Sequence, residues 1–156
     1  MEEKFNKYFN LFYRDVYRLA FSYTLNYADS KDIVQETFIK LYKNMNKFKE
    51  NTDVEIKRWL MVVASNNCKD YLKSFWKRKV KNLAEENQSF VNYDKEILDM
   101  LQQLDKKYRI PLFLYYYEGY NSREIADLLH KSESTIRTRL QKAKKILRKE
   151  LEKDGY

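Results

Sequence analysis

The side chains best suited to chemistry lie between Asn121 and Leu151, where apolar and basic residues alternate with helical spacing. Apolar positions three or four residues apart predict one stripe of an α-helix, and they are Ile136, Leu140, Ala143, Leu147 and Leu151. The opposite face is polar and basic, with no acidic residue at positions 136–149, and it carries Arg137, Thr138, Gln141, Lys142, Lys144, Lys145, Arg148 and Lys149. Cations bind phosphates, and arginine, threonine and glutamine can bond with base edges. This face therefore predicts nucleic-acid binding.

Residues 121–132 predict the helix and turn that would position this basic helix. Asn121 and Glu124 have the spacing of a capping box, in which each side chain bonds to the backbone N–H of the other residue. Residues 125–129 give this first helix an apolar side, His130 begins the turn, and Ser132 can cap the second helix. Two helices joined in this way form a helix-turn-helix, which places its second helix in the major groove of DNA.

The composition of the 156 residues favours a helical protein with a polyanionic partner. The net charge of +8 and the pI of about 9.3 favour nucleic acid or an acidic membrane surface as that partner. A hydrophobic content of 44% with 16% aromatic residues is enough for packed cores. Only 2 Gly and 1 Pro occur, which predicts long helices rather than a turn-rich β fold.

Several classes of function are not expected from this composition. The single Cys68 and the single His130 cannot supply the usual ligands of a zinc site, and Cys68 is expected to be a buried small side chain. There is no Gly-rich loop for a nucleotide, so we expect no metal, no cofactor and no enzymatic activity. The sequence has neither a run of about 18 apolar residues nor a signal-peptide core. We therefore expect no membrane insertion and a cytoplasmic protein.

Apolar periodicity divides the chain into two groups of helices. Helices are predicted at 3–26, from a cap at Asp29 to about 45, and at 54–76, and their aromatic residues can close a small core. Residues 77–95 lose this periodicity and predict a flexible linker. Further helices are expected at 95–104 and from a cap at Asp105 to about 118, with a kink at Pro111 and a left-handed end at Gly119. The prediction is an all-α fold of two small domains, 1–76 and 96–156, the second containing the helix-turn-helix.

Three blocks of this sequence resemble the extracytoplasmic-function (ECF) type of sigma factor in the bacterial sigma-70 family. The run from Asp29 to Tyr42 (DSKDIVQETFIKLY) resembles the helix of that family that binds RNA polymerase. The run from Trp59 to Leu72 (WLMVVASNNCKDYL) is similar to the segment that handles the promoter −10 element. Residues 115–120 (YYYEGY), with the helix-turn-helix after them, are similar to the domain that reads the −35 element. The blocks stand in the family's order, and the resemblance extends over nearly the whole chain.

The resemblance implies partners and site residues. It implies docking on the β′ clamp helices of core RNA polymerase by Asp32, Gln35, Glu36 and Lys40, and contact with the β flap. It implies binding of the opened −10 strand by Lys57, Arg58, Asn66, Lys69 and Lys73. Asn66 stands at the family's base-capturing position, and the loop from Phe48 to Val54 corresponds to the −10 specificity loop. Binding to the −35 duplex is implied for Ser134, Thr135, Arg137, Thr138, Arg139, Gln141, Lys142, Lys144, Lys145 and Arg148. An anti-sigma factor is a further partner that the resemblance suggests.

Two departures and one alternative bear on this interpretation. His130 stands where the family usually has glycine, and Val62 stands where the family is usually basic. Taken alone, the polar face that carries Asp32, Gln35, Glu36 and Lys40 would be an ordinary solvated surface. The alternative function is a stand-alone helix-turn-helix regulator that binds duplex DNA as a dimer.

Overall fold

The computed structural model describes residues 1–78 and 102–153, with their side chains except at 74–78 and 151. These residues form helices and contain no strand. They group into two compact units, one within residues 1–88 and the other within 89–156. The predicted all-α fold with two helical units is confirmed.

The described part of the first unit, residues 1–78, is a bundle of three α-helices. These are α1 (Glu2–Thr24), α2 (Tyr27–Lys43) and α3 (Asp53–Arg78), with a 3-10 helix at Met45–Lys47 between the last two. Each helix packs against the other two and contributes an apolar stripe to one core, in which Val16, Leu19, Leu41, Ile56 and Leu60 are buried. Burying an aliphatic side chain of this size contributes about 1.5–3 kcal/mol, so the stripes hold the bundle together.

The turn between α1 and α2 differs from the prediction in the residue that caps α2. α1 ends at Thr24, and Leu25 adopts a left-handed φ of 51°. Asn26 then caps α2, because its side chain accepts a hydrogen bond from the Asp29 N–H at 2.9 Å. The prediction that Asp29 is the cap is wrong: its carboxylate instead accepts a hydrogen bond from the Tyr71 hydroxyl on α3.

α3 begins at a capping box that periodicity did not reveal. The Glu55 N–H donates to Thr52 Oγ1 at 3.2 Å, and the Thr52 N–H donates to Glu55 Oε2 at 3.3 Å. The helix extends to Arg78, so the first two residues of the predicted linker are helical. The remainder of that linker, and all but the last three residues of the helix predicted at 95–104, lie outside the described residues.

Within residues 102–153, the second unit contains α4 (Lys106–Tyr116), α5 (Ser122–Leu129) and α6 (Glu133–Lys153). Asp105 caps α4 as predicted, accepting from the Lys107 N–H at 3.2 Å. α6 packs against both shorter helices, and its Ala143 is buried with Leu104 and Leu112. α6 is thereby fixed along its apolar stripe, which leaves its basic face outside.

Gly119 turns the chain between α4 and α5. Its φ of 70° is left-handed, and the Tyr120 N–H donates to the Leu114 carbonyl at 3.0 Å, which closes the end of α4. The predicted left-handed end is confirmed, although α4 stops at Tyr116 rather than near 118. Pro111 lies inside α4 as expected.

Candidate DNA-binding and polymerase-binding surfaces

The helix-turn-helix is assembled by local hydrogen bonds. Asn121 and Glu124 form the predicted capping box, with bonds of 2.8 and 3.1 Å. His130 ends α5 in a left-handed conformation with φ 57°, so it serves in the turn where glycine would be the unstrained choice. Ser132 Oγ accepts from the Thr135 N–H at 3.2 Å and so caps α6 as predicted.

α6 presents the predicted basic side chains on its outer face. Thr135 and Arg139 are half-buried at its edges, and the other members of the set are exposed, namely Ser134, Arg137, Thr138, Gln141, Lys142, Lys144, Lys145 and Arg148. Ile136, Leu140 and Ala143 are buried on the opposite side. The structure thus brings the whole predicted −35 set to one helix and separates it from the core.

The first turns of α6 already orient two of these side chains. Arg137 Nη2 lies 3.0 Å from Glu133 Oε1, and Ser122 Oγ of α5 donates to the same carboxylate oxygen at 3.2 Å. Thr138 Oγ1 donates to the Ser134 carbonyl at 2.9 Å. Since this bond uses the Thr138 hydroxyl proton, the side chain is left with its acceptor lone pairs and its methyl group for a base.

Two lysines of α6 lie against tyrosines of α4. Lys142 Nζ is 5.6 Å from the centre of the Tyr108 ring, and Lys144 Nζ is 5.0 Å from that of Tyr115 and 5.8 Å from that of Tyr116. Hydrogen bonding from Lys142 lowers the pKa of the Tyr108 phenol. Tyr115 and Tyr116 are themselves exposed. The rings restrain these two ammonium groups, whereas Lys145 and Arg148 make no such aromatic contact within the described residues.

α3 presents a second polar and basic surface. Arg58, Asn66 and Lys73 are exposed and Lys69 is half-buried, and these four positions fall within an arc of about 80° on the helix. Lys57 is the exception among the predicted residues. It is half-buried, and its Nζ lies 3.9 Å from Asp15 Oδ2 of α1, so it lies at the side of this surface.

The residues on either side of Asn66 are both buried and hydrogen-bonded. Ser65 Oγ lies 2.8 Å from Tyr23 Oη of α1. Asn67 Nδ2 donates to Thr37 Oγ1 of α2 at 3.1 Å, and Asn67 Oδ1 accepts from Lys40 Nζ at 2.6 Å. The exposed asparagine is therefore flanked by one hydrogen bond to α1 and two to α2.

The loop before α3 is fastened to the start of α1. Lys4 Nζ donates to the Phe48 carbonyl at 2.6 Å and to the Lys49 carbonyl at 3.4 Å. The Phe48 ring packs edge-on against Trp59, with 5.0 Å between the ring centres. Trp59 is half-buried, so it supports the loop instead of lying deep in the core.

The outer face of α2 carries the residues predicted to bind polymerase. Asp32, Gln35 and Glu36 are exposed. Lys40 is half-buried, and besides its bond to Asn67 its Nζ lies 3.6 Å from Glu36 Oε1. Ile39 and Tyr42 are 46% and 43% exposed, which makes one edge of this face apolar.

Three residues of these surfaces were missed by the sequence analysis. Asn67 gave no signal because its partners lie 27 and 30 positions away. Lys4 acts through a contact 44 positions away. Glu133 could have been found, because its spacing of four from Arg137 on a helix predicts an ion pair.

Burial raises the pKa of ionisable groups in the interior of the first unit. Cys68 is fully buried as predicted, and burial raises the pKa of its thiol. Burial also raises the pKa of the Tyr23 phenol. In residues 1–78 and 102–153 there is no group of three or more His, Cys, Asp or Glu that could hold a metal ion. Nor does any helix in those ranges have the length and apolar character needed to cross a membrane.

Fold and surfaces together define a two-unit helical DNA-binding protein with a helix-turn-helix. Residues 8–78 match the family model described as sigma-70 region 2, and residues 94–147 match the model described as sigma-70, region 4. The RNA polymerase sigma factor SigV of Bacillus subtilis is 30% identical over 148 residues, which cover 90% of this chain and 87% of that protein. The chain belongs to the sigma-70 family and is an RNA polymerase sigma factor of the ECF type.

Two further comparisons agree with this assignment. The ECF RNA polymerase sigma factor SigM of Bacillus subtilis is 25% identical over 150 residues, covering 90% of each protein. The sigma factor RpoE of Bartonella quintana, in its co-crystal structure with the anti-sigma factor NepR, matches this chain with a TM-score of 0.78. That match has 18% identity and covers 96% of this chain and 98% of the other, so it shows a shared fold.

Proposed function

We propose that this sigma factor brings core RNA polymerase to promoters by binding each promoter at two places, acting as a binding protein without catalysis of its own. One observation carries the proposal: each unit presents its own cationic and hydrogen-bonding surface, on α3 in the first and on α6 in the second. We assign residues 1–76 to polymerase binding and the −10 element, residues 77–95 to a linker, and residues 96–156 to the −35 element.

The outer face of α2 is the proposed docking surface for the β′ clamp helices. Asp32, Gln35 and Glu36 supply exposed polar and acidic groups there. Such groups favour charge-matched recognition and rapid association. Lys40 is proposed to contribute to this docking surface through its ion pair with Glu36.

The outer face of α3 is the proposed binding surface for the opened −10 strand. Arg58, Lys69 and Lys73 supply positive charge along about 22 Å of helix, which suits a phosphate backbone. Asn66, with both a donor and an acceptor, is proposed to hold an unpaired base, and the loop that Lys4 fastens is proposed to select it. Base capture stabilises the open strand, so binding energy drives opening without ATP.

The outer face of α6 is the proposed reader of the −35 duplex. Arg137, Thr138 and Gln141 lie in the first half of the helix and are proposed to contact bases. Ser134, Thr135 and Arg139 flank them. Lys142, Lys144, Lys145 and Arg148 are proposed to hold phosphates, which fix position without reading sequence.

Further partners and the location follow from the family. We propose that the β flap contacts the second unit and that an anti-sigma factor holds this protein inactive. The second of these is supported by the anti-sigma factor bound to the structural relative from Bartonella quintana. The site of action is the cytoplasm, where the polymerase works.

The decisive experiment is run-off transcription by core polymerase on genomic fragments, with and without this protein. We expect defined transcripts only when the protein is added, and their start sites give the promoter sequence. An Asp32→Ala/Glu36→Ala double variant provides the control, since it should lose transcription while its second unit remains folded. The proposal fails if no fragment yields a transcript.

The same protein, core polymerase and DNA fragments also test the alternative function, a stand-alone regulator. A stand-alone regulator retards promoter DNA tightly and specifically without polymerase and does not co-purify with the core enzyme. We expect the reverse for this chain: weak binding alone and tight, specific binding in the presence of core enzyme.

A further inference from the structure

The buried Asn67 lies between the two surfaces that the first unit presents. Its side chain is 4% exposed and so cannot touch DNA or a protein partner. Its amide uses both ends, donating to Thr37 Oγ1 and accepting from Lys40 Nζ, at 3.1 and 2.6 Å. Both partners are on α2, whose outer face is the proposed polymerase surface.

The hydrogen bonds continue from this amide into the backbone of α2. Thr37 is fully buried, and its Oγ1 donates to the Ile33 carbonyl at 2.7 Å. This bond orients the Thr37 oxygen to accept from Asn67. On the other side, Lys40 joins Asn67 to the exposed Glu36. The network therefore runs from the core of α2 through Asn67 to the edge of its outer face.

This network fixes α3 in rotation as well as in distance. Apolar packing tolerates small slides and turns of one helix on another, whereas hydrogen bonds weaken steeply when their angle or length changes. Asn67 is adjacent to Asn66, so any rotation that breaks the two amide bonds also moves Asn66. The buried amide and the exposed amide are thus constrained together.

We propose that Asn67 is a positioning residue for strand opening: its bonds to Thr37 and Lys40 hold α3 at the rotation that presents Asn66 beside the polymerase-binding face of α2. This inference rests on the proposed function of α3 as the surface that captures the −10 strand. Asn67 thereby contributes to strand opening by α3 without contacting the DNA itself.

Thr37 provides the cleanest test, because it is buried on a different helix. Thr37→Val keeps the side-chain shape and removes the acceptor for Asn67, whereas Thr37→Ser keeps the hydroxyl and serves as the matched control. Asn67→Leu removes both bonds from the other side. Opening is measured with core polymerase on a promoter found by run-off transcription, using a fluorescent base analogue in the −10 element. Affinity for core polymerase and thermal melting are measured on the same samples.

We expect Asn67→Leu and Thr37→Val to reduce open complex about tenfold or more, because small misplacements of a positioned group have effects of this size. We expect the affinity for core polymerase to stay at the wild-type value and Thr37→Ser to form as much open complex as the wild type. The Thr37→Val/Asn67→Leu double variant should form no less open complex than the poorer single variant. The inference is overturned if both variants only lower the melting temperature and open normally below it. It is also overturned if opening and core affinity fall by the same factor.

An Asn66→Ala variant separates this inference from the function on which it rests. If Asn66→Ala opens poorly while Asn67→Leu and Thr37→Val open normally, the positioning role is wrong and base capture by α3 stands. If Asn66→Ala also opens normally, base capture at that position is wrong, and the positioning role falls with it.

Discussion

Arg137 and Glu133 form an ion pair one turn apart on α6, with 3.0 Å between Nη2 and Oε1. Glu133 is held in turn by Ser122 of α5, so the pair links the arginine to the helix before the turn. An exposed ion pair of this kind contributes about 0.2–1 kcal/mol. A bidentate arginine–guanine contact is worth about 1–3 kcal/mol. We therefore expect a guanine at the proposed contact to displace Glu133 from Arg137, after the ion pair has oriented the guanidinium.

Replacing Arg137 tests its proposed contact with a base. Arg137→Ala is expected to lose about 1–3 kcal/mol of discrimination at a single −35 position, measured by competition among promoter fragments that differ there. Glu133→Gln retains the arginine and removes only its restraint, so it should lose less. Equal weakening on every fragment would instead assign Arg137 to a phosphate.

Lys145 tests the proposed phosphate contacts. Lys145→Gln should reduce the slope of log affinity against log salt by about one, measured with polymerase holoenzyme on promoter DNA. Lys153→Gln makes the same charge change on the same helix, at a residue paired with Glu150 at 3.8 Å, and should leave the slope unchanged. Equal changes in both variants would mean that only the overall charge matters.

Lys4 tests the anchoring of the loop before α3. Lys4→Met keeps the aliphatic stem and removes the two bonds to the Phe48 and Lys49 carbonyls. The loosened loop should discriminate less among bases at the −10 element, as measured by transcription from a set of single-base promoter variants. Arg14→Met removes one positive charge from an exposed position of the same helix and is the matched control. Unchanged base preference in Lys4→Met would rule out the anchoring role.

The two turns of the second unit predict opposite effects on stability. His130 has φ 57° and is exposed, so His130→Gly relieves left-handed strain and should stabilise the unit by up to about 1 kcal/mol. Gly119 has φ 70° with open space around an added Cβ, so Gly119→Ala should cost about 1 kcal/mol through the backbone alone. Urea unfolding of the variants measures both changes, and a stabilised Gly119→Ala would contradict the strain argument.

Cys68 offers a direct measure of unfolding in the first unit. Burial raises the pKa of its thiol, so the folded protein keeps it protonated and shielded, while the unfolded chain ionises near the ordinary pKa of 9.0. Labelling by a thiol reagent at pH 8 should therefore proceed only through unfolding, with a rate that rises steeply with urea. It is the only cysteine of the sequence, so the signal is unambiguous. Rapid labelling without denaturant would show that the site opens locally.

Local patterns sufficed for the parts of this protein that depend on neighbours in sequence. The capping box at Asn121, the cap at Ser132 and the buried stripe through Ile136 follow from spacing alone, and the family resemblance rests on the same short blocks. The cap of α2 was assigned wrongly because Asn26 and Asp29 are equally good caps by residue type. What distinguishes them is the hydrogen bond that the Asp29 carboxylate accepts from Tyr71, 42 positions away in the sequence. Lys57 and Lys40 were assigned from the family resemblance, and each bonds to a partner on another helix that neither the resemblance nor periodicity identifies.

The bonds from Lys4 reach main-chain oxygens and leave the side chains of the loop untouched. Because these hydrogen bonds do not depend on the side chains of the loop, they can hold loops of different sequence in one conformation. Phe48 packs on Trp59 and Thr52 caps α3, so residues 49–51 between them are the exchangeable part of the loop that is proposed to select the −10 base. Replacing these three residues by those of a relative should bring that relative's base choice without disturbing the framework beneath them.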